Sequence, residues 1–352
     1  MSVLFSPLQL RAVTLPNRIG MPPMAQYSAT DGLANDWHVQ HYGSRAASGA
    51  GLIIFEVAAV LPEGRISLGD LGLWNDAQIE PLARVVRLIE SQGSVPAIQI
   101  GHAGRKGSIG RGWESQQNLP APEGGWATVA PSALAFEGLA EPRALDRQGI
   151  AGVVQAFAAA ARRARRAGFQ AVEIHAAHGY LLHQFLSPLS NRRDDDYGGS
   201  FAHRIRLTRE TVAAVRAEWP DNLPLLVRLS ATDWADGGWD ADQTVELCRL
   251  LKADGVDLVD VSSAGLVAGV KIPVGPGYQV PFATRVRTEA GVPTAAVGLI
   301  TEPRQAEAIL TESRADMVLL GREMLRNPFW PLQAAKALGA EAPWPKQYLR
   351  AR

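Results

Sequence analysis

The sequence predicts an α/β fold: a (β/α)8 TIM barrel with an N-terminal plug and a long excursion after strand three. Three observations lead there. Eight short apolar runs recur along the 352 residues, and most are followed by a segment of helical period. The runs are nearly continuous in aliphatic residues, as strands of a parallel sheet covered on both faces are. The length also suits one α/β barrel, a fold that runs from about 200 to more than about 400 residues as a single domain. An open doubly wound sheet competes, but no Gly-x-Gly-x-x-Gly follows the first strands to mark a dinucleotide fold.

Taken in order, residues 1–17 precede the first strand and are expected to plug the bottom of the barrel. Strands are expected at Arg18–Met21, Leu52–Ala58, Val95–Ile100, Phe169–His175, Pro224–Leu229, Val256–Val261, Pro293–Val297 and Asp316–Leu320. Asp76 is expected to cap a helix through Ile79, Leu82, Val86 and Ile89 that stops at Gly93. Asp146 caps the next, with Ile150, Val153, Val154 and Phe157 on one stripe up to Gly168. Asp240 precedes Val245, Leu247 and Leu250, ending at Gly255, and Pro303 opens a helix through Ile309. The gap from Ile100 to Phe169 is too long for one helix. Residues 101–145, rich in Gly, Pro and Trp, therefore read as an excursion over the barrel mouth. With no linker, repeat or low-complexity tract, 1–352 reads as one domain.

Thirty-five basic residues balance thirty-five acidic ones, so no net field favours nucleic acid or anionic membrane. No stretch approaches the ~18 apolar residues that would span a bilayer, and the start of the chain lacks a signal-peptide pattern. The single cysteine, Cys248, rules out an internal disulfide and a Cys-rich zinc site and fits a reducing, cytoplasmic compartment. It falls in a helix pattern and reads as a packed thiol. Arg162, Arg163, Arg165 and Arg166 read as the solvated face of a helix.

A barrel carries its active site at the C-terminal ends of its strands. Polar residues gather there: Tyr27 after strand one, Glu56 in strand two, Gln99 ending strand three, His175 and His178 ending strand four, and Arg228 ending strand five. Gly298 and Gly321-Arg322 occupy the loops after strands seven and eight, where barrels commonly bind phosphate. There small residues admit backbone N–H groups and Arg322 can bridge the anion. Tight-turn glycines and a surface arginine are the plainer account of the same residues. His175 and His178 read as two imidazoles on one helical turn that can both donate to one oxygen. Zinc would also suit their spacing, but no Glu lies between them and no third ligand is near; no metal is expected. Tyr180 adds a phenol able to deliver a proton. Trp113 and Trp126 either cover the substrate or only pack the excursion.

Four segments together carry a resemblance. They are Pro22-Pro23-Met24-x-Gln26-Tyr27-Ser28, Gln99-Ile100-Gly101-His102-Ala103-Gly104-Arg105-Lys106, His175-x-x-His178-Gly179-Tyr180-Leu181, and Ser190-Asn191-Arg192-Arg193-Asp194-Asp195-Asp196-Tyr197-Gly198-Gly199-Ser200. From about Leu4 to the C-terminus, in unbroken order, the chain resembles the old yellow enzyme family and its thermophilic-like subclass. The resemblance implies an ene-reductase with tightly but non-covalently bound FMN, taking electrons from NADPH or NADH and reducing activated alkenes such as α,β-unsaturated carbonyls. A flavin oxidoreductase acting mainly on nitro compounds or other xenobiotics is the second reading.

By that resemblance Gln99 and Arg228 contact the pyrimidine edge of the flavin. Pro23, Met24, Ala25 and Ala58 line its ring, and Gly298, Gly321 and Arg322 hold its phosphate. His175 and His178 grip the substrate oxygen, His175 also touching the cofactor, with Tyr27 a second phenol over the pocket and Tyr180 the proton donor. The subclass carries a flavin-tuning cysteine where this chain has Ala25, so an active but kinetically altered enzyme is expected. The segment 340–352 is expected at a subunit interface of a homodimer or homotetramer, with Arg350 reaching a neighbour's active site.

Overall fold

A computed structural model describes residues 2–352; Met1, the first residue of the domain expected from the sequence, lies outside the described residues. Eight parallel strands close on themselves. β1 (Ile19–Met21) pairs with β2 (Leu52–Ala59), and the ladder runs on through β3 (Val95–Gly101), β4 (Ala171–Ala176) and β5 (Leu225–Ser230). It continues through β6 (Leu258–Ser262), β7 (Thr294–Val297) and β8 (Met317–Leu319), which returns to β1 at Val318↔Ile19. Each strand begins within two residues of its expected position. The alternative of an open sheet is thereby excluded.

Helices wrap the outside. α1 (Asp36–Ala46) was not marked by an apolar stripe; Asn35 caps it and His38 completes the capping box. α2 (Ile79–Ser91) follows β2, but Asp76 does not cap it. Asn75 accepts from Ala77 N, Gln78 reaches back to Asn75 N, and the resulting 3-10 turn runs into α2. Two adjacent cappers were available, and the glutamine three residues beyond Asn75 decides between them. Asp76 instead faces out and binds Arg163 at 2.8 Å and Arg166 at 2.6 Å.

α3 (Arg147–Arg166) is capped by Asp146 as expected. After β4 come three helices, α4 (Leu181–Leu186), α5 (Phe201–Arg204) and α6 (Arg206–Glu218). α7 (Ala241–Ala253) is capped by Asp240, and α8 (Val280–Arg285) follows β6. Pro303 opens α9 (Pro303–Thr311), and α10 (Gly321–Arg326) and α11 (Trp330–Leu338) complete the ring. Among the described residues, no helix is long and apolar enough to cross a membrane.

The plug is a two-stranded antiparallel hairpin, Leu8–Leu10 with Val13–Leu15. Its Leu10, Val13 and Leu15 pack on a buried layer that takes one or two side chains from each of β2 to β8, among them Ile54, Ala97, Leu226, Leu258 and Met317. Burying each large aliphatic side chain there contributes roughly 1.5–3 kcal/mol. The excursion between β3 and α3 is held by cations. Arg105 donates to Leu134 O, Ala135 O and Leu266 O, and Arg193 donates to Pro131 O.

Candidate active site

One wall of the mouth is the loop after β1. It is pinned by Glu56, a buried carboxylate beside a register shift in β2 that separates Phe55 from Ala58. Such a bulge re-aims side chains. Glu56 Oε2 accepts from Gln26 N at 2.7 Å; its Oε1 accepts from Tyr42 at 3.1 Å and lies 3.4 Å from His38 Nε2. Pro23, Met24 and Ala25 are carried on this loop, and Ala58 lies buried at the end of β2 beside Ile100. Tyr27 takes left-handed backbone (φ +52) and meets exposed Trp113 edge-on, ring centres 6.1 Å apart. Trp126 packs on Arg65 and donates to Glu63 O, so it braces the excursion.

The floor is a buried polar layer across β3 to β6. Gln99 Nε2 donates to Glu173 Oε1 at 2.8 Å. The amide oxygen of Gln99 makes no hydrogen bond to the described residues. Arg228 lies within β5, two residues before its end, with Nε 2.9 Å from Asp260 Oδ2 but bent off the hydrogen-bond axis. Its terminal nitrogens make no hydrogen bond to the described residues. Burial raises both carboxyls above the usual range; Asp260's charge raises Glu173 further, and Arg228 opposes both shifts. Glu173 and Asp260 were not singled out from the sequence. The legible signal was a charged residue inside an otherwise apolar strand.

His175 and His178 do come together, but not on a helical turn. His175 is the penultimate residue of β4, whereas His178 (φ +58) and Gly179 (φ +73) form a left-handed turn after it. The turn doubles the chain back, bringing the two rings to 5.1 Å at 88° and the Tyr180 ring to 5.0 Å from His175. Left-handed backbone at a non-glycine residue costs on the order of 1 kcal/mol, and the surroundings hold it. Ser230 accepts from His178 N at 2.9 Å, and Lys106 donates to His178 O at 2.9 Å. His183 Nδ1 accepts from Gly179 N at 2.9 Å, and Gln184 donates to Gly179 O at 2.8 Å. A Cβ on Gly179 would stand 2.1 Å from Gly265 O, so no other residue fits.

Protonation follows from these partners. His175 Nδ1 accepts from Ala177 N, which places the proton on Nε2. His178 Nε2 lies 2.7 Å from Ser262 Oγ. Burial first, then Arg228, holds both histidines well below the ordinary range, so both rings are neutral at neutral pH. Burial raises the Tyr180 phenol, with Tyr27 and Asp70 adding to the effect. Lys106 is lowered to about 8 by burial and by Arg105.

Beside Arg228 opens a cavity of about 190 Å3, which brings Arg228, Gly298, Gly321 and Arg322 together with Ser262, Tyr278 and Gln279. Gly298 has φ +122, and a Cβ there would press within 3.0 Å of both Gln279 and Tyr278. The Gly321 Cβ position would lie 3.6 Å from Pro22 and 3.7 Å from Met24 Sδ, so the loop after β1 borders the same space. Arg350, by contrast, is exposed in the last turn, Lys346–Ala351, and its guanidinium makes no hydrogen bond or ion pair with the described residues. Among those residues no group of three or more His, Cys, Asp or Glu side chains is placed to hold a metal.

A (β/α)8 barrel with a buried guanidinium beside a glycine-lined cavity at its C-terminal face has the plan of an FMN-dependent oxidoreductase. The chain matches the model of the NADH:flavin oxidoreductase / NADH oxidase family over residues 3–341, and it belongs to that family. It is 49% identical to the NADPH dehydrogenase of Listeria innocua serovar 6a, covering 100% of this chain and 99% of that one. Among solved structures it is similar to morphinone reductase in complex with tetrahydroNAD (31% identity, TM-score 0.79), covering 96% of this chain and 91% of that one. It is also similar to the old yellow enzyme homologue of Zymomonas mobilis (26% identity, TM-score 0.78), covering 99% and 97%. The protein is an NAD(P)H-dependent flavin oxidoreductase of old yellow enzyme type, with FMN as its cofactor.

Proposed function

We propose that this enzyme is an ene-reductase acting on α,β-unsaturated carbonyl compounds and similar activated alkenes. The observation that carries it is a pair of neutral imidazoles, 5.1 Å apart, set beside a phenol at the barrel mouth. The residues present fit FMN. Arg228 offers terminal N–H groups unclaimed by the described residues, and the Gly298, Gly321 and Arg322 side of the cavity suits a phosphate. Pro23, Met24, Ala25 and Ala58 would line the ring, with the free carbonyl oxygen of Gln99 at its pyrimidine edge and His175 touching it as well. Bound FMN supplies a two-electron carrier between NAD(P)H and the second substrate.

The side chains then do the following. His175 donates its Nε2 proton to the substrate's carbonyl oxygen. His178 can join it when Ser262 donates to Nε2, which places the ring proton on Nδ1. The single proton of Ser262 has two acceptors in reach, Gln279 Oε1 at 3.4 Å and His178 Nε2 at 2.7 Å, and the shorter contact favours the histidine. Two preorganised donors stabilise the negative charge that develops on that oxygen. Tyr180, kept protonated by burial, donates to the α-carbon. Tyr27 and Trp113 close the chamber from above. Morphinone reductase binds tetrahydroNAD, and we assign the reduced nicotinamide of this enzyme to the same chamber, so the two substrates alternate.

Ala25 cannot provide the sulfur contact of the subclass, so Ala25→Cys is expected to change the flavin potential and the balance of the half-reactions without creating or abolishing turnover. The exposed Arg350 is assigned to a neighbouring subunit's chamber in a homodimer or homotetramer. The deciding experiment is a visible spectrum of the purified protein, followed by anaerobic NADPH and then 2-cyclohexenone. A flavin spectrum that bleaches with NADPH and returns with the enone, with cyclohexanone as product, supports the proposal. Bleaching without return overturns the ene-reductase assignment and leaves nitro compounds as the substrate class to try.

A further inference from the structure

We infer that the buried Asp233–His183 pair is a positioning device for the catalytic turn, acting through Gly179 to aim His178 and Tyr180. The inference rests on the roles proposed above for those two residues. His183, on α4, and Asp233, in the β5–α7 connection, are both completely buried. Neither touches the cavity beside Arg228. Gly179 N–H donates to His183 Nδ1 at 2.9 Å, so Nδ1 must carry a lone pair and the ring proton must sit on Nε2. His183 Nε2 lies 2.9 Å from Asp233 Oδ1, somewhat off axis, and neither atom has another partner among the described residues. The other carboxylate oxygen is fixed as an acceptor by Ser187 Oγ at 2.6 Å and Trp239 N at 2.7 Å.

The chain of constraints runs one way. Ser187 and Trp239 orient Asp233, Asp233 selects the tautomer of His183, and that tautomer accepts from the amide between His178 and Tyr180. Asp233→Asn reverses it with almost no change in shape. The amide oxygen stays opposite Ser187 and Trp239, which turns the NH2 toward His183 Nε2. The ring proton is then driven to Nδ1, where it faces the Gly179 N–H, donor against donor. A buried donor left without an acceptor displaces the turn.

The test uses FMN-loaded enzyme labelled with 15N-histidine; with seven histidines in the chain, the spectrum is tractable. Wild type should show His183 protonated on Nε2 alone. In Asp233→Asn the proton should move to Nδ1, and reoxidation by 2-cyclohexenone should slow at least about tenfold with FMN still bound. Ser187→Ala removes one of the two anchors of Asp233 while Trp239 N keeps the carboxylate opposite His183, so the ring proton should stay on Nε2 and the same assay should slow by less than in Asp233→Asn. The inference is overturned if wild-type His183 is protonated on Nδ1 or on both nitrogens. It is equally overturned if Asp233→Asn reoxidises at the wild-type rate, or if Ser187→Ala slows the enzyme as much as Asp233→Asn does. Should Asp233→Asn fail to retain FMN, the wild-type spectrum decides. Failure of the underlying roles looks different: Tyr180→Phe would then leave enone reduction intact, whatever the tautomer of His183.

Discussion

The two ends of the barrel are built from the same strands by opposite rules. At the bottom, Leu10, Val13 and Leu15 of the plug meet Leu52, Ile54, Leu226, Leu258 and Met317 in a layer of aliphatic side chains. A few residues further along those strands, the top buries Gln99, Glu173, His175, Arg228 and Asp260, and several of their polar atoms have no hydrogen-bond partner among the described residues. Leaving such groups unsatisfied costs on the order of 1–3 kcal/mol each, and the aliphatic layer offsets that cost. The lower half therefore supplies stability, and the upper half gives some of it up to keep polar groups available for chemistry.

Four experiments bear on that division, beginning with the largest effect. Tyr180→Phe should slow enone-dependent reoxidation by about 10²–10⁴, with thermal stability changed little; stopped-flow absorbance measures it, and an effect below tenfold would take the proton from elsewhere. Ile54→Ala should cost about 2–5 kcal/mol in denaturant unfolding while leaving the flavin spectrum as it was. A changed spectrum would mean the two ends are not independent.

A smaller effect concerns pH. His175 and His178 are held neutral by burial, so no limb near the ordinary histidine pKa should appear in the oxidative half-reaction. Lys106 should give one instead. As pH rises through about 8 its ammonium is lost, its grip on His178 O and Gly265 O weakens, and the rate should fall a few-fold. Lys106→Met should abolish this limb, and persistence of the limb would assign it to another group. Smallest of all, truncation after residue 345 should weaken enone affinity several-fold by removing Arg350, on the scale of one rim charge. Unchanged affinity and oligomeric state would dismiss the assignment of Arg350.

All eight strands were legible, because buried parallel strands write themselves as uninterrupted aliphatic runs. Asp146 and Asp240 were legible as caps for a similar reason: the residue type and the stripe behind it agree. α1 was not, since a helix lying between the barrel and the C-terminal segment buries His38, His41, Tyr42 and Arg45 and so shows no clean apolar face. In the site, residues of known chemical character were found by their position after strands. Their arrangement was not found: a three-residue spacing reads as a helical turn, and nothing local announces that His178 adopts φ +58. That conformation is imposed by Lys106, Ser230 and His183, which reach it from other elements.

The turn that carries His178 draws its support from Lys106, 72 residues upstream, and Ser230, 52 residues downstream. It cannot take its native shape until β3, β5 and the excursion have docked around β4, and contacts of such sequence separation form late in folding. Competence should therefore trail compactness during refolding, with tryptophan fluorescence reaching its native level before the power to reduce an enone returns.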